Sequence, residues 1–257
     1  MKPTTIVSFA WLALMVGGCV DAPEPELSST AQELSSLNGL AMINGLNTQN
    51  GLNTQNGLNT QNGLNTQNGL TNAVGLMTTS SGRNTLAYMV RCALPAGRSI
   101  TKQNQYNVSY TFFGALGVSP EWETGACNTR CQEWISACMV AHINTAGVHI
   151  PLWVVADPVP QPQIGWGLSP VYPNQEGAFF GNIFKSPPLM YYCNGRDIAA
   201  SVVAGRIGAD QLNAPYTNPW GPNGTCANHC NESEAPYQTS GFRGCSGWNA
   251  VMTVWRQ

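Results

Sequence analysis

The chemistry this sequence offers is mostly sulfur. Nine cysteines occur, and eight of them, Cys92, Cys127, Cys131, Cys138, Cys193, Cys226, Cys230 and Cys245, lie in the C-terminal two-thirds. An even set of cysteines in a chain bound for an oxidising compartment reads as four disulfides. Zinc is the competing use: Cys127 with Cys131, and Cys226 with Cys230 around His229, form two Cys-x3-Cys pairs. Structural zinc favours the tighter Cys-x2-Cys spacing, and exported thiols oxidise, so no metal is expected. A c-type haem needs Cys-x-x-Cys-His, which is absent, and no other cofactor is implied.

Catalytic motifs are equally sparse. The sequence holds no Gly-x-Ser-x-Gly elbow, no His-Glu-x-x-His, no Walker loop and no dinucleotide glycine pattern. Its three histidines are His142, His149 and His229. His142 falls in the last turn of an expected helix, where an imidazolium would suit the dipole and the role is structural. Glu176, paired with Asp157 or Asp197, is the candidate acid of a glycosidase, which needs two neighbouring carboxyl groups. The plainer role for Glu176 is a hydrogen-bonded carboxylate anchoring a turn. Tyr216 and Trp220, in a Pro/Gly-rich loop, are aromatics that could stack on sugar rings or plug the loop onto the core. No catalytic residue is assigned, and Tyr216, Trp220 and Glu176 stand as candidate ligand contacts.

The ninth cysteine carries the address. One positive charge, Lys2, precedes an apolar run from Ile6 to Val16 and the small residues Gly17 and Gly18. That layout is a signal peptide, and its apolar run is too short to cross a bilayer. Val16-Gly17-Gly18-Cys19 resembles the bacterial lipobox, in which the cysteine sulfur receives a diacylglycerol. Residues 1–18 are therefore expected to be removed and Cys19 to become lipidated. Several acyl chains on one residue give stable attachment, so the partner of the N-terminus is a membrane. Val20 in place of an aspartate favours the outer membrane.

Residues 19–33 read as a disordered tether rich in Pro, Ser and acidic residues. Residues 34–82 hold a strict hexad: leucine recurs at 34, 40, 46, 52, 58, 64, 70 and 76, with Asn-Gly-Leu beginning at 38, 44, 50, 56, 62 and 68. One aliphatic per six residues suits a short β-solenoid, whereas one inward leucine per hexad is a thin core against the ordering entropy of a coil. As a coil, the stretch from Cys19 to Asn84 spans about 45 Å root-mean-square. Either form holds the C-terminal part of the chain away from the membrane.

Residues 84–257 make one globular domain. Charged residues are only 9% of the chain and the net charge is −2, which leaves no basic face for nucleic acid. Thr129 to Ala146 reads as a helix, with Thr129 and Gln132 as a capping box and Gly147 at its end. Cys131 and Cys138 then lie on one face about 10.5 Å apart, too far to pair. Alternation suggests strands at Leu86–Leu94 and Tyr106–Phe112, and apolar runs suggest others at Val148–Val155, Met190–Cys193 and Val251–Trp255. Ile198–Ile207 fits either element. The expected class is α+β: mainly antiparallel sheet with one principal helix clamped to it by disulfides, behind a hexapeptide-repeat spacer.

Four segments, Tyr88–Gly97, Cys131–Cys138 with the following Ala-Gly-Val, Glu176–Phe184 and Thr253–Arg256, resemble a set of cysteine-rich predicted lipoproteins of myxobacteria. The resemblance covers residues 84–257, reinforces the lipoprotein reading and implies no activity. The expected function is that of a membrane-anchored surface lipoprotein whose domain binds a glycan or protein without catalysis. The alternative is an extracytoplasmic hydrolase acting on polysaccharide or cell-wall material.

Overall fold

A computed structural model describes residues 64, 65, 70, 73, 75–146, 148, 150–156, 171–210, 214, 216–232 and 241–257. The expected signal peptide, Cys19, the expected tether, most of the hexad spacer, Gly147, His149 and Asp157 lie outside the described residues. All described residues belong to one compact unit, Glu33–Gln257.

Three α-helices occur among the described residues, not one principal helix. The first, α1 (Ser80–Ala93), replaces the strand expected at Leu86–Leu94. Its cap is Thr79, whose Oγ1 accepts from the Gly82 amide, and Leu86, Met89, Val90 and Ala93 form the buried stripe of a helix. The apparent alternation arises because Tyr88 and Cys92 are buried as well, widening that stripe. A hairpin follows, β1 (Ser99–Gln103) and β2 (Ser109–Phe113), paired antiparallel. Its turn is held by Asn104 Oδ1, which accepts from the amides of Tyr106 and Val108.

The expected helix is α2 (Thr129–Ala141), but its cap is Asn128, whose side chain accepts from the Cys131 amide at 3.0 Å. Gln132 instead donates to the Cys127 carbonyl. The helix stops at His142, short of Gly147.

The principal sheet comprises β3 (Leu152–Ala156), β4 (Asn174–Asn182), β5 (Leu189–Asn194), the two-residue β6 (Tyr216–Thr217) and β9 (Met252–Arg256). Their order is β3-β9-β4-β5-β6, antiparallel except between β5 and β6. Between β5 and β6 runs α3 (Ala200–Ile207), which resolves the ambiguity at Ile198–Ile207 in favour of helix. A second hairpin, β7 (Cys230–Glu232) with β8 (Phe242–Cys245), completes the set.

Both faces of the sheet are covered. Phe179, Met190, Tyr192, Met252 and Val254 join the core shared with α1 and α2. Ala178, Phe180, Cys193 and Val251 form a second core with Phe242, Cys226 and Cys245. Strand β4 is consequently buried almost throughout, which is why its sequence lacks polar alternation and reads as a turn by pattern alone.

The four disulfides are Cys92–Cys138, Cys127–Cys131, Cys193–Cys226 and Cys230–Cys245. Cys131 and Cys138 do not pair with each other, as helical spacing requires. The clamp differs from the expected one, however: Cys138 bonds α2 to α1 rather than to the sheet, and the sheet is stapled through Cys193 of β5. Leucines of the hexad enter the main core too, with Leu64 and Leu76 at 0% exposure and Leu70 at 4%. Gly82 lets α1 approach Leu76 closely, since a Cβ there would stand 2.6 Å from the Leu76 carbonyl oxygen.

Chain-entropy reasoning assigns about 4 kcal/mol to Cys92–Cys138, separated by 46 residues, and about 2 kcal/mol to Cys127–Cys131, separated by 4. Replacing the first pair by alanines is therefore expected to lower the urea midpoint markedly more than replacing the second.

Candidate functional site

Glu176 occupies a β-bulge. Gln175 faces Trp255 and Gly177 faces Val254, so Glu176 is the extra residue on β4, and the bulge re-aims its side chain. The carboxylate is 0% exposed. Arg206 of α3 meets it twice: Nε donates to Oε1 at 2.8 Å, and Nη2 lies 2.7 Å from Oε2. Arg256 of β9 adds Nη1 at 3.3 Å from Oε1. Arg206 Nη1 also donates to the carbonyls of Ala141, the last residue of α2, and of Ile143 just beyond it. Glu176 is thus sealed at the junction of β4, β9 and α3, where it is matched by arginines. Asp197, its expected partner, accepts from the Gln175 amide at 2.7 Å.

Arg206 belongs to no motif. Its one sequence signal is a single guanidinium in an apolar stretch, which needs an opposite charge if buried.

Tyr216 and Trp220 part company on opposite faces of the sheet. Tyr216, on β6 beside Met190, is buried in the main core, and its hydroxyl has no partner among the described residues. Burial pushes that hydroxyl's pKa upward, keeping it neutral. Trp220 packs on the second core, where Phe180 and Tyr191 are cross-strand partners. Around Phe180 gather Tyr191 at 5.7 Å between ring centroids, Trp220 at 6.0 Å and Trp248 at 6.4 Å. Tyr191, Trp220 and Trp248 are half-buried. His229, exposed, lies flat on Trp220 with centroids 4.2 Å apart and planes 5° from parallel. Lys185 Nζ stands 5.8 Å above the Trp248 ring.

This aromatic face is rigidly mounted. Asn218 donates to the Gly224 carbonyl and accepts from the Trp220 amide, while Asn194 of β5 donates to the carbonyls of Pro222 and Gly224. Gly224 is required there because a Cβ would sit 2.7 Å from that of Trp220. Cys193–Cys226 bolts the loop to β5. Tyr191 and Trp248 carry no motif of their own, although Tyr191 alternates with the buried Met190 and Tyr192 and so must face the other way.

His142 caps α2 as a neutral imidazole, correcting the expected imidazolium. Burial lowers its pKa from an ordinary 6.5 to about 4, and the positive charges of Arg206 and Arg91 act in the same direction. Nδ1 donates to the Cys138 carbonyl at 2.7 Å. Two groups bring metal-type ligand atoms within 4.8 Å of one another, Cys92/Cys138/His142 and Cys193/Cys226/Cys230. Every cysteine in them is disulfide-bonded, so neither offers a thiolate. Cys127 and Cys131, the other zinc candidates, are bonded to each other.

No protein-family model, no curated protein and no solved structure matches this chain.

Removing one partner of a buried pair strands the other charge, so Arg206→Met is expected to cost about 3–5 kcal/mol. Glu176→Leu combined with Arg206→Met should cost less than the two single changes added together, measured in a double-mutant cycle by urea denaturation. For His142 the unfolded chain takes up a proton below pH 6.5 that the folded one refuses until about pH 4. Stability should therefore be level above pH 6.5 and fall by roughly 3 kcal/mol toward pH 4. His142→Gln should remove about one proton from that linkage, read from the pH dependence of the unfolding free energy.

Proposed function

We propose that this chain is a surface lipoprotein, lipidated at Cys19, whose disulfide-stapled domain binds an external ligand without transforming it. The observation that carries the reading is the aromatic face built from Tyr191, Trp220 and Trp248 on Phe180. Partly exposed rings on a fixed backbone suit stacking against the C–H faces of sugars, since they lose little conformational freedom on binding. His229, stacked on one face of Trp220, and Lys185, over Trp248, supply hydrogen-bond donors for hydroxyl groups. Stacking on the sugar falls to the remaining exposed ring surface of Tyr191 and Trp248. A glycan is accordingly the ligand class proposed.

Support comes also from where the reactive groups lie. Glu176 is matched by arginines, His142 is buried and neutral, and the eight later cysteines are oxidised. These side chains serve the fold, and the aromatic face is left to meet solvent. Among the described residues no helix is long and apolar enough to cross a membrane, and attachment in this reading falls to the acylated Cys19. The resemblance to myxobacterial lipoproteins is in keeping with that address.

The test uses protein purified from bacterial membranes. Its intact mass is expected to correspond to a chain beginning at acylated Cys19. Titration with cell-wall and extracellular polysaccharides should shift tryptophan fluorescence, and Trp248→Ala should weaken binding about tenfold or more, equivalent to about 1.4 kcal/mol. Binding unaffected by Trp248→Ala and by Trp220→Ala would sink the aromatic-face reading. Release of new reducing ends would favour a hydrolase.

A further inference from the structure

The hexad repeat does more than fill distance. Leu64 is fully buried in the main core, and two successive amides there donate to the last two carbonyls of the 3-10 turn Pro120–Glu123: Leu64 N–H to the Trp122 carbonyl at 2.7 Å, and Asn65 N–H to the Glu123 carbonyl at 2.8 Å. Trp122 itself is fully buried, and Glu123 is held by an ion pair with Arg98 at 2.6 Å. The site therefore recognises one leucine side chain and the main chain that carries it.

Four hexads present that combination identically. Asn44–Gln49, Asn50–Gln55, Asn56–Gln61 and Asn62–Gln67 all read Asn-Gly-Leu-Asn-Thr-Gln. Downstream the pattern changes: Leu70 is followed by Thr71-Asn72-Ala73, and Leu76 is preceded by Val74-Gly75 and followed by Met77. Leu70 and Leu76 are buried in the same core, so these individual residues fix the downstream end of the docked chain. Upstream of them, nothing in the sequence distinguishes one of the four hexads from the next. Register is specified only where residues differ.

We propose that the carbonyl end of the Pro120–Glu123 turn is a binding site for the repeat unit itself, and that the four identical hexads exchange in it. Its ligand is an uncharged Asn-Gly-Leu-Asn-Thr-Gln segment of the same chain. When Leu58 takes the place of Leu64, the contacts at the site are the same, and six more residues are looped out before Leu70. Loop closure varies slowly with length, so doubling that connection lowers the docking equilibrium only about threefold. Leaving the leucine site without an aliphatic costs on the order of a hundredfold or more. Exchange therefore outcompetes vacancy, and each step draws six residues out of the tether. Such exchange is independent of what the aromatic face binds.

Urea denaturation of the full chain tests it with three variants. Leu64→Ala alone should leave the docking equilibrium within about fivefold of wild type, because Leu58 or Leu52 substitutes. Leu46→Ala, Leu52→Ala and Leu58→Ala together, with Leu64 intact, should change it no more than that. All four replaced by alanine should lower it on the order of a hundredfold, or prevent folding altogether. A Leu64→Ala loss as large as that of the fourfold variant would show that only Leu64 fits and would overturn the proposal. A fourfold variant as stable as wild type would overturn it as well, since the site would then have no use for the leucine.

Discussion

A carboxylate removed from water must be matched where it stands, and the matching of Glu176 decides how much of this molecule is arranged. Arg206 reaches it from α3 and Arg256 from β9, while the bulge in β4 points Glu176 toward them. The same Arg206 guanidinium takes the carbonyls of Ala141 and Ile143, which the end of α2 leaves without helical partners. Thr145 then binds back to the Arg206 carbonyl through its amide and its hydroxyl. One ion pair thus fixes where α2 ends, where α3 docks and how β4 meets β9. In a chain with so few charges, three of them are committed to this junction.

With α2 fixed on one face of the sheet, the other face is closed differently. There the covering is a short hairpin and two cystines, Cys193–Cys226 and Cys230–Cys245, whose nearest sulfurs are 3.6 Å apart. Sulfur fills the space that longer aliphatic side chains would otherwise occupy, and the rings of Phe180, Trp220 and Trp248 complete the layer. The aromatic face is the outer rim of this second core, which explains why its members are half-buried. Close backbone approach is part of the same design: at Gly177 a Cβ would lie 2.3 Å from the Cys193 carbonyl oxygen.

How much of this is legible in the sequence depends on whether a residue's partners are local. The disulfide use of the cysteines follows from their even number, while the impossibility of Cys131–Cys138, helix α2 and strands β5 and β9 follow from spacing within a few residues. Helix α1 passes for a strand because Tyr88 and Cys92 broaden its buried stripe until it mimics alternation. Strand β4 is hidden because burial on both faces erases its period, and its Glu and Gly residues imitate a turn. The junction at Glu176 depends on Arg206, thirty positions away, and no local pattern announces such a pair. Tyr216 and Trp220 are four residues apart in one loop, yet β6 turns the first inward before the loop carries the second to the opposite face.

The cystines divide by position along the chain. Cys92, Cys127, Cys131 and Cys138 pair among themselves, as do Cys193, Cys226, Cys230 and Cys245, and no bond joins the two sets. Cys127–Cys131 is nested inside Cys92–Cys138, and the two later bonds follow one another without interlacing. Under the export proposed above, a chain delivered N-terminus first could oxidise its first four thiols among themselves before Cys193 emerges. In the later set each new thiol finds its partner in the very next cysteine to arrive, so order of appearance is a sufficient instruction there. Only the nested set asks Cys92 to pass over two nearer thiols, Cys127 and Cys131, before it meets Cys138.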